Sequence, residues 1–140
     1  MATEIVVDSS VIVALVLPEE HSNWALGKLS EHEYSHILEF SYYEVANAIK
    51  CKTPNRLNNK EAQKSFTRAL GIMNQFGVHS FGEVIVGAMN LALEHNIAVY
   101  DAAFLSLADK SDMKLLTLDM ELVKKLEKTK YFDLIEYPKK

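Results

Sequence analysis

Ile5-Val6-Val7-Asp8-Ser9-Ser10 is the stretch on which the reading of this chain turns. Three β-branched residues in a row favour a buried strand, and they stop on a carboxylate followed by two hydroxyls. The next residues, Val11-Ile12-Val13-Ala14-Leu15-Val16-Leu17, stay apolar until Pro18. Read as a helix packed on a sheet, that run leaves Asp8 just past the strand's carboxyl end. In an open α/β sheet, ligands bind along that edge. An acid presented there needs other acids or a metal ion to explain it.

Working outward, the clearest strand after the first is Lys114-Leu115-Leu116-Thr117-Leu118, and it too ends on an acid, Asp119. Between them, Pro18-Glu19-Glu20 has the proline and early acids of a second helix start. Residues 34–37 form a short strand candidate. From residue 38 to 52, Leu38, Tyr42, Val45, Ala46 and Ile49 recur at helical spacing. Glu44 stands in the middle of that helix, with no basic residue three or four positions away. Asn58-Asn59 opens another helix running toward Gln75, whose outer face carries Lys60, Lys64 and Arg68. Residues 77–81 read as a brief strand. Residues 84–95 form a helix that is apolar nearly all round, and is therefore expected to be buried. Tyr100-Asp101-Ala102-Ala103 begins a small-residue helix with an acid in its first turn. A helix over 120–128 and a strand over 132–136 complete the chain. Short strands alternating with longer helices imply a mostly parallel sheet covered on both faces.

With 140 residues, 49% of them hydrophobic and 24% charged, the chain has the profile of one globular domain, spanning 1–140. No apolar run approaches the ~20 residues of a membrane span. The start, Met1-Ala2-Thr3-Glu4, lacks the basic region of a signal peptide. Cys51 is the only cysteine, which excludes an internal disulfide and a cysteine-based zinc site. The expected location is the cytoplasm. A net charge of −4 argues mildly against a simple nucleic-acid coat protein, but not against an enzyme that sets metal ions between its acids and a phosphate.

Asp8, Asp101 and Asp119 each sit where a helix begins, so each has an ordinary explanation as an N-cap. Glu44, placed in mid-helix, does not; its ordinary explanation is a solvated surface glutamate. Against that stands the setting Tyr42-Tyr43-Glu44-Val45-Ala46, apolar or small on nearly every side. Converging carboxylates without basic partners raise one another's pKa values, and a divalent cation relieves the repulsion. Hard oxygen ligands, with no histidine at ligand spacing, point to Mg2+ or Mn2+ rather than zinc. Such a site suits phosphoryl chemistry.

Four blocks closely resemble the ordered signature of PIN domains: Val6-Val7-Asp8-Ser9-Ser10; Glu44-Val45-Ala46-Asn47-Ala48; Val99-Tyr100-Asp101-Ala102-Ala103-Phe104; and Leu115-Leu116-Thr117-Leu118-Asp119. The nearest resemblance is to the small VapC-type toxins of prokaryotic toxin–antitoxin pairs. It implies a three-layer α/β/α sandwich and an Mg2+- or Mn2+-dependent endoribonuclease. Asp8, Glu44, Asp101 and Asp119 would be its acidic quartet, with Ser10 and Thr117 as small polar supports beside the metals. It also implies an RNA substrate, a cognate antitoxin and a homodimer.

Two readings from other classes compete. An aspartate-based phosphatase or phospho-acceptor also places an acid after its first strand, but Ser10 stands where a phosphatase of that kind needs a second aspartate. A non-catalytic binding module would keep the fold, and the intact quartet argues against it. Lys60, Lys64 and Arg68 are either a solvated face or a phosphate track. Tyr42, Tyr43 and Phe104 are either core or base-stacking platforms.

Overall fold

The computed structural model describes residues 3–139; Met1 and Ala2, part of the N-terminal stretch read above, and Lys140 lie outside them. The chain alternates strands and helices: β1 (Glu4–Val7), α1 (Ser9–Val16), α2 (Ser22–Ser30), β2 (Tyr34–Leu38), α3 (Ser41–Lys50), α4 (Asn59–Met73), β3 (Gly77–His79), α5 (Ile85–His95), α6 (Val99–Ser111), β4 (Lys114–Leu116), α7 (Met120–Leu126) and β5 (Ile135–Glu136). Short 3-10 turns, Phe81–Glu83 and Lys130–Leu134, precede α5 and β5. All strand pairs are parallel, in the order β3-β2-β1-β4-β5. The chain therefore builds outward from β1 on one side, then crosses back to add β4 and β5 on the other. The crevice at that reversal, between the carboxyl ends of β1 and β4, is the place an open sheet offers a ligand.

Helices cover both faces, which is why β1 reads as an unbroken apolar run rather than an alternation. Ile5 and Val7 point to one side, joining Ile37 and Leu116 in a core with Val11, Ile12, Ile49 and Met73. Val6 points to the other, where Leu38, Leu115 and Ile135 meet Leu105, Leu107, Leu122 and Leu126. The result is the expected α/β/α sandwich around a parallel sheet. Among the described residues no helix is long and apolar enough to cross a membrane.

Several elements differ from their sequence-based bounds. The second helix opens at Ser22 rather than Pro18, because the Ser22 hydroxyl accepts from the Glu19 amide (2.9 Å) and donates to Leu17 O (3.2 Å), holding 18–21 as a turn. Leu38 belongs to β2, and α3 begins at Ser41, whose hydroxyl accepts the Leu38 amide. Glu44 is thus in the first turn of α3, not its middle. Residues 132–134 form a 3-10 turn, so only Ile135 and Glu136 pair as β5. The expected burial of α5 is half right. Ala88, Leu91 and Ala92 are buried, but Val86 is 73% and Leu93 71% exposed, with Ile85 and Met89 beside them. Both faces of this helix are apolar, so hydrophobic periodicity carried no information about which one packs.

Candidate active site

Asp8 is placed by the strand-to-helix junction itself. It is the residue after β1 and the N-cap of α1, and it is buried. Its Oδ1 accepts from the Ser10 amide (3.1 Å), the Ser10 hydroxyl (2.5 Å) and the Val11 amide (3.4 Å). Its Oδ2 accepts from the Thr117 hydroxyl, which arrives from the end of β4. Thr117 Oγ1 in turn accepts the Asp119 amide at 3.0 Å, and Ser10 Oγ accepts the Leu118 amide at 3.1 Å. Two hydroxyls therefore tie the ends of β1 and β4 together around one carboxylate. Burial pushes Asp8 up to about 7; the hydrogen bonds from Ser10, Thr117 and Val11 oppose this, and the charge of Asp101 adds to it.

Asp119 caps α7, with Oδ1 accepting from the amides of Glu121 (3.1 Å) and Leu122 (3.2 Å). The N-cap explanation thus holds for Asp8 and Asp119. It fails for Asp101, the third residue of α6, whose N-cap position is Ala98 and has no side-chain cap. Asp101 is raised to about 6, chiefly by burial and then by the charges of Asp119 and Glu44, while Lys125 opposes them. Lys125 is a basic neighbour that local spacing did not reveal. Glu44, half-buried, is also raised by burial, against a 2.7 Å hydrogen bond donated by the Ser9 hydroxyl to its Oε1.

The four acids come from four separate junctions and feel one another's charge: Asp8 feels Asp101, and Asp101 feels Asp119 and Glu44. Ser10 and Thr117 both touch Asp8 directly. Ser9, given no role by sequence reasoning, holds Glu44; its place beside Asp8 was the only available signal. Among the described residues no three His, Cys, Asp or Glu side chains lie close enough to enclose an ion as they stand. The donor chemistry nonetheless fits a hard divalent cation, because burial and mutual repulsion make added positive charge favourable. Cys51 is exposed on the segment after α3.

A family model described as PIN domain matches residues 5–128. The chain is 41% identical over 123 residues to Ribonuclease VapC3 of Pyrobaculum aerophilum, covering 87% of this chain and 94% of that protein. The crystal structure of PAE2754 from Pyrobaculum aerophilum superposes with a TM-score of 0.71 at 27% identity, over 98% of this chain and 90% of that one. A toxin–antitoxin complex from Klebsiella pneumoniae shares the fold with a TM-score of 0.71 at 14% identity, over 97% and 98% of the two chains. The family match runs from β1 through α7 and takes in all four acids, and this chain belongs to the PIN domain family.

Proposed function

We propose that this chain is a metal-dependent endoribonuclease acting as the toxin of a toxin–antitoxin pair, and that residues 1–140 form its single nuclease domain. The observation that carries this is the set of mutually repelling carboxylates at the reversal of the sheet, two of them raised to about 7 and about 6. The ribonuclease name of the 41% identical relative supports the activity. Asp8, Glu44, Asp101 and Asp119 are both the catalytic and the metal-holding residues in this reading, with Ser10 and Thr117 as supports. The ion is Mg2+ or Mn2+. When bound, it supplies Lewis-acid activation of water and neutralises charge on the phosphodiester.

The chain's own residues fix the geometry. Asp8 is held on both oxygens, so its position is set before any ligand arrives. Asp119 keeps Oδ2 available while Oδ1 caps α7. Glu44 keeps Oε2 available while Ser9 holds Oε1, and that oxygen is the one to orient or deprotonate the attacking water. Asp101 faces the others without a capping duty. The partners are an RNA substrate, a cognate antitoxin and a second copy of the chain; the cytoplasm is the compartment. The test is incubation of the purified protein with cellular RNA, with Mn2+, with Mg2+ and with chelator, followed by mapping of the new ends. Cleavage that requires metal and disappears in Asp8→Asn is expected. Metal-independent cleavage would overturn the assignment.

A further inference from the structure

Beside the acids, at the carboxyl ends of β2 and β3, lies a groove of about 240 Å³ lined by Leu38, Glu39, Phe40, Tyr43, His79 and Phe81. Two of its aromatics are far more open to water than packing requires: Tyr43 is 81% and Phe81 70% exposed. The groove shares its framework with the acids. Tyr43 immediately precedes Glu44 on α3. Phe40 stacks edge-on against Tyr100 (5.4 Å), the residue before Asp101, and against Phe104 (5.3 Å). The volume falls below the ~300–1,000 Å³ of pockets that take drug-sized ligands, and suits one flat ring system.

We propose that this groove is a nucleobase subsite that selects an unpaired guanine in the RNA strand lying across the acids. This rests on the ribonuclease reading above. Exposed aromatics beside a nuclease centre give bases a stacking surface, which is sequence-tolerant by itself. Selection comes from Glu39. It is exposed, and its side chain makes no hydrogen bond or ion pair among the described residues. The other polar wall, His79, has both ring nitrogens engaged, one with His36 (3.0 Å) and one with Glu83 (3.0 Å). A carboxylate offers two parallel acceptors and repels phosphate, so the base enters rather than the backbone. Guanine presents two adjacent donors, N1–H and the N2 amino group, on its Watson–Crick edge. Adenine and cytosine present one donor beside an acceptor, and uracil one donor between two acceptors. Only guanine matches both oxygens at once.

The test uses the full chain carrying Asp8→Asn to silence cleavage, in magnesium, with single-stranded hexaribonucleotides holding one guanosine, inosine or adenosine in a uridine background. The guanosine oligomer is expected to bind about tenfold more tightly than the inosine one, which lacks the N2 amino group. Adding Glu39→Gln should erase that difference. Adding Tyr43→Ala with Phe81→Ala should weaken all three oligomers about tenfold or more, with an unchanged circular dichroism spectrum. Equal affinity for guanosine and inosine oligomers with Glu39 intact overturns the subsite. So does an aromatic double variant that changes sedimentation but not RNA affinity, since the face is then a contact between copies of the chain. Guanosine preference in the Asp8→Asn protein, with no RNA cleavage by wild type in any metal, would sink the ribonuclease reading and leave the groove standing.

Discussion

At the residue scale, Asp8 is a carboxyl kept above its ordinary value of 3.8 and raised to about 7 mainly by burial. Between those values the folded protein holds a proton that the unfolded chain has released. Stability that is present below about pH 4 is therefore lost as pH rises through about 7, by up to ~1.4 kcal/mol per pH unit for this one proton. In chelator, the wild-type melting temperature should fall from pH 5 to pH 8, and Asp8→Asn should flatten that fall. A wild-type melting temperature that rises over the same interval would show that Asp8 is not buried as a strained carboxylate. Magnesium or manganese should raise the melting temperature more at pH 8 than at pH 5, because protons compete for the same oxygens. Ser9 yields a second outcome. Ser9→Ala removes the 2.7 Å hydrogen bond to Glu44 and should cut the cleavage rate about tenfold, the effect of ~1.4 kcal/mol, while Ser9→Thr restores much of it. Of these residues, Asp8 was legible in the sequence because it ends the best strand, whereas Ser10 and Thr117 were drawn from the family resemblance. Ser9 and Lys125 were not, since what they do depends on a neighbour from another element.

At the scale of elements, α7 begins on a residue with two duties. Asp119 Oδ1 accepts two backbone amides, and its charge raises Asp101. Asparagine caps about as well as aspartate, so Asp119→Asn keeps the first duty and drops the second. The metal-free mutant should melt at or above wild type, respond less to magnesium or manganese, and cleave no RNA. Melting below wild type with an undiminished metal response would reduce Asp119 to a cap. On α4, Lys60, Lys64 and Arg68 are all exposed, and replacing them together by glutamine should weaken RNA binding and flatten its salt dependence. An unchanged slope would make them an ordinary solvated face. Strands and helices were legible wherever one face differed from the other or an acid followed a β-branched run. They were misjudged where side-chain hydrogen bonds set the ends: Ser22 delays α2, and Ser41 delays α3. The sequence pattern for 84–95 showed no polar side, so it could not reveal that Val86 and Leu93 remain in water.

Over the whole molecule, that apolar side of α5 is the surface to bury in the proposed homodimer. Val86→Lys with Leu93→Lys should shift sedimentation at micromolar concentration from dimer to monomer and leave the circular dichroism spectrum unchanged. A monomeric wild type would remove the dimer. The sheet order has a consequence of a different kind. The hydroxyl of Thr117 reaches Asp8 across 109 positions of chain, and β4 pairs with β1 only after every other strand but β5 has been made. A growing polypeptide still on the ribosome thus carries Asp8, Glu44 and Asp101 without the strand that draws the last acid alongside them. If the four acids act together as proposed, catalytic competence waits for β4 to be made and paired with β1. In the proposed reading, a toxin built this way stays harmless to RNA until synthesis has passed β4.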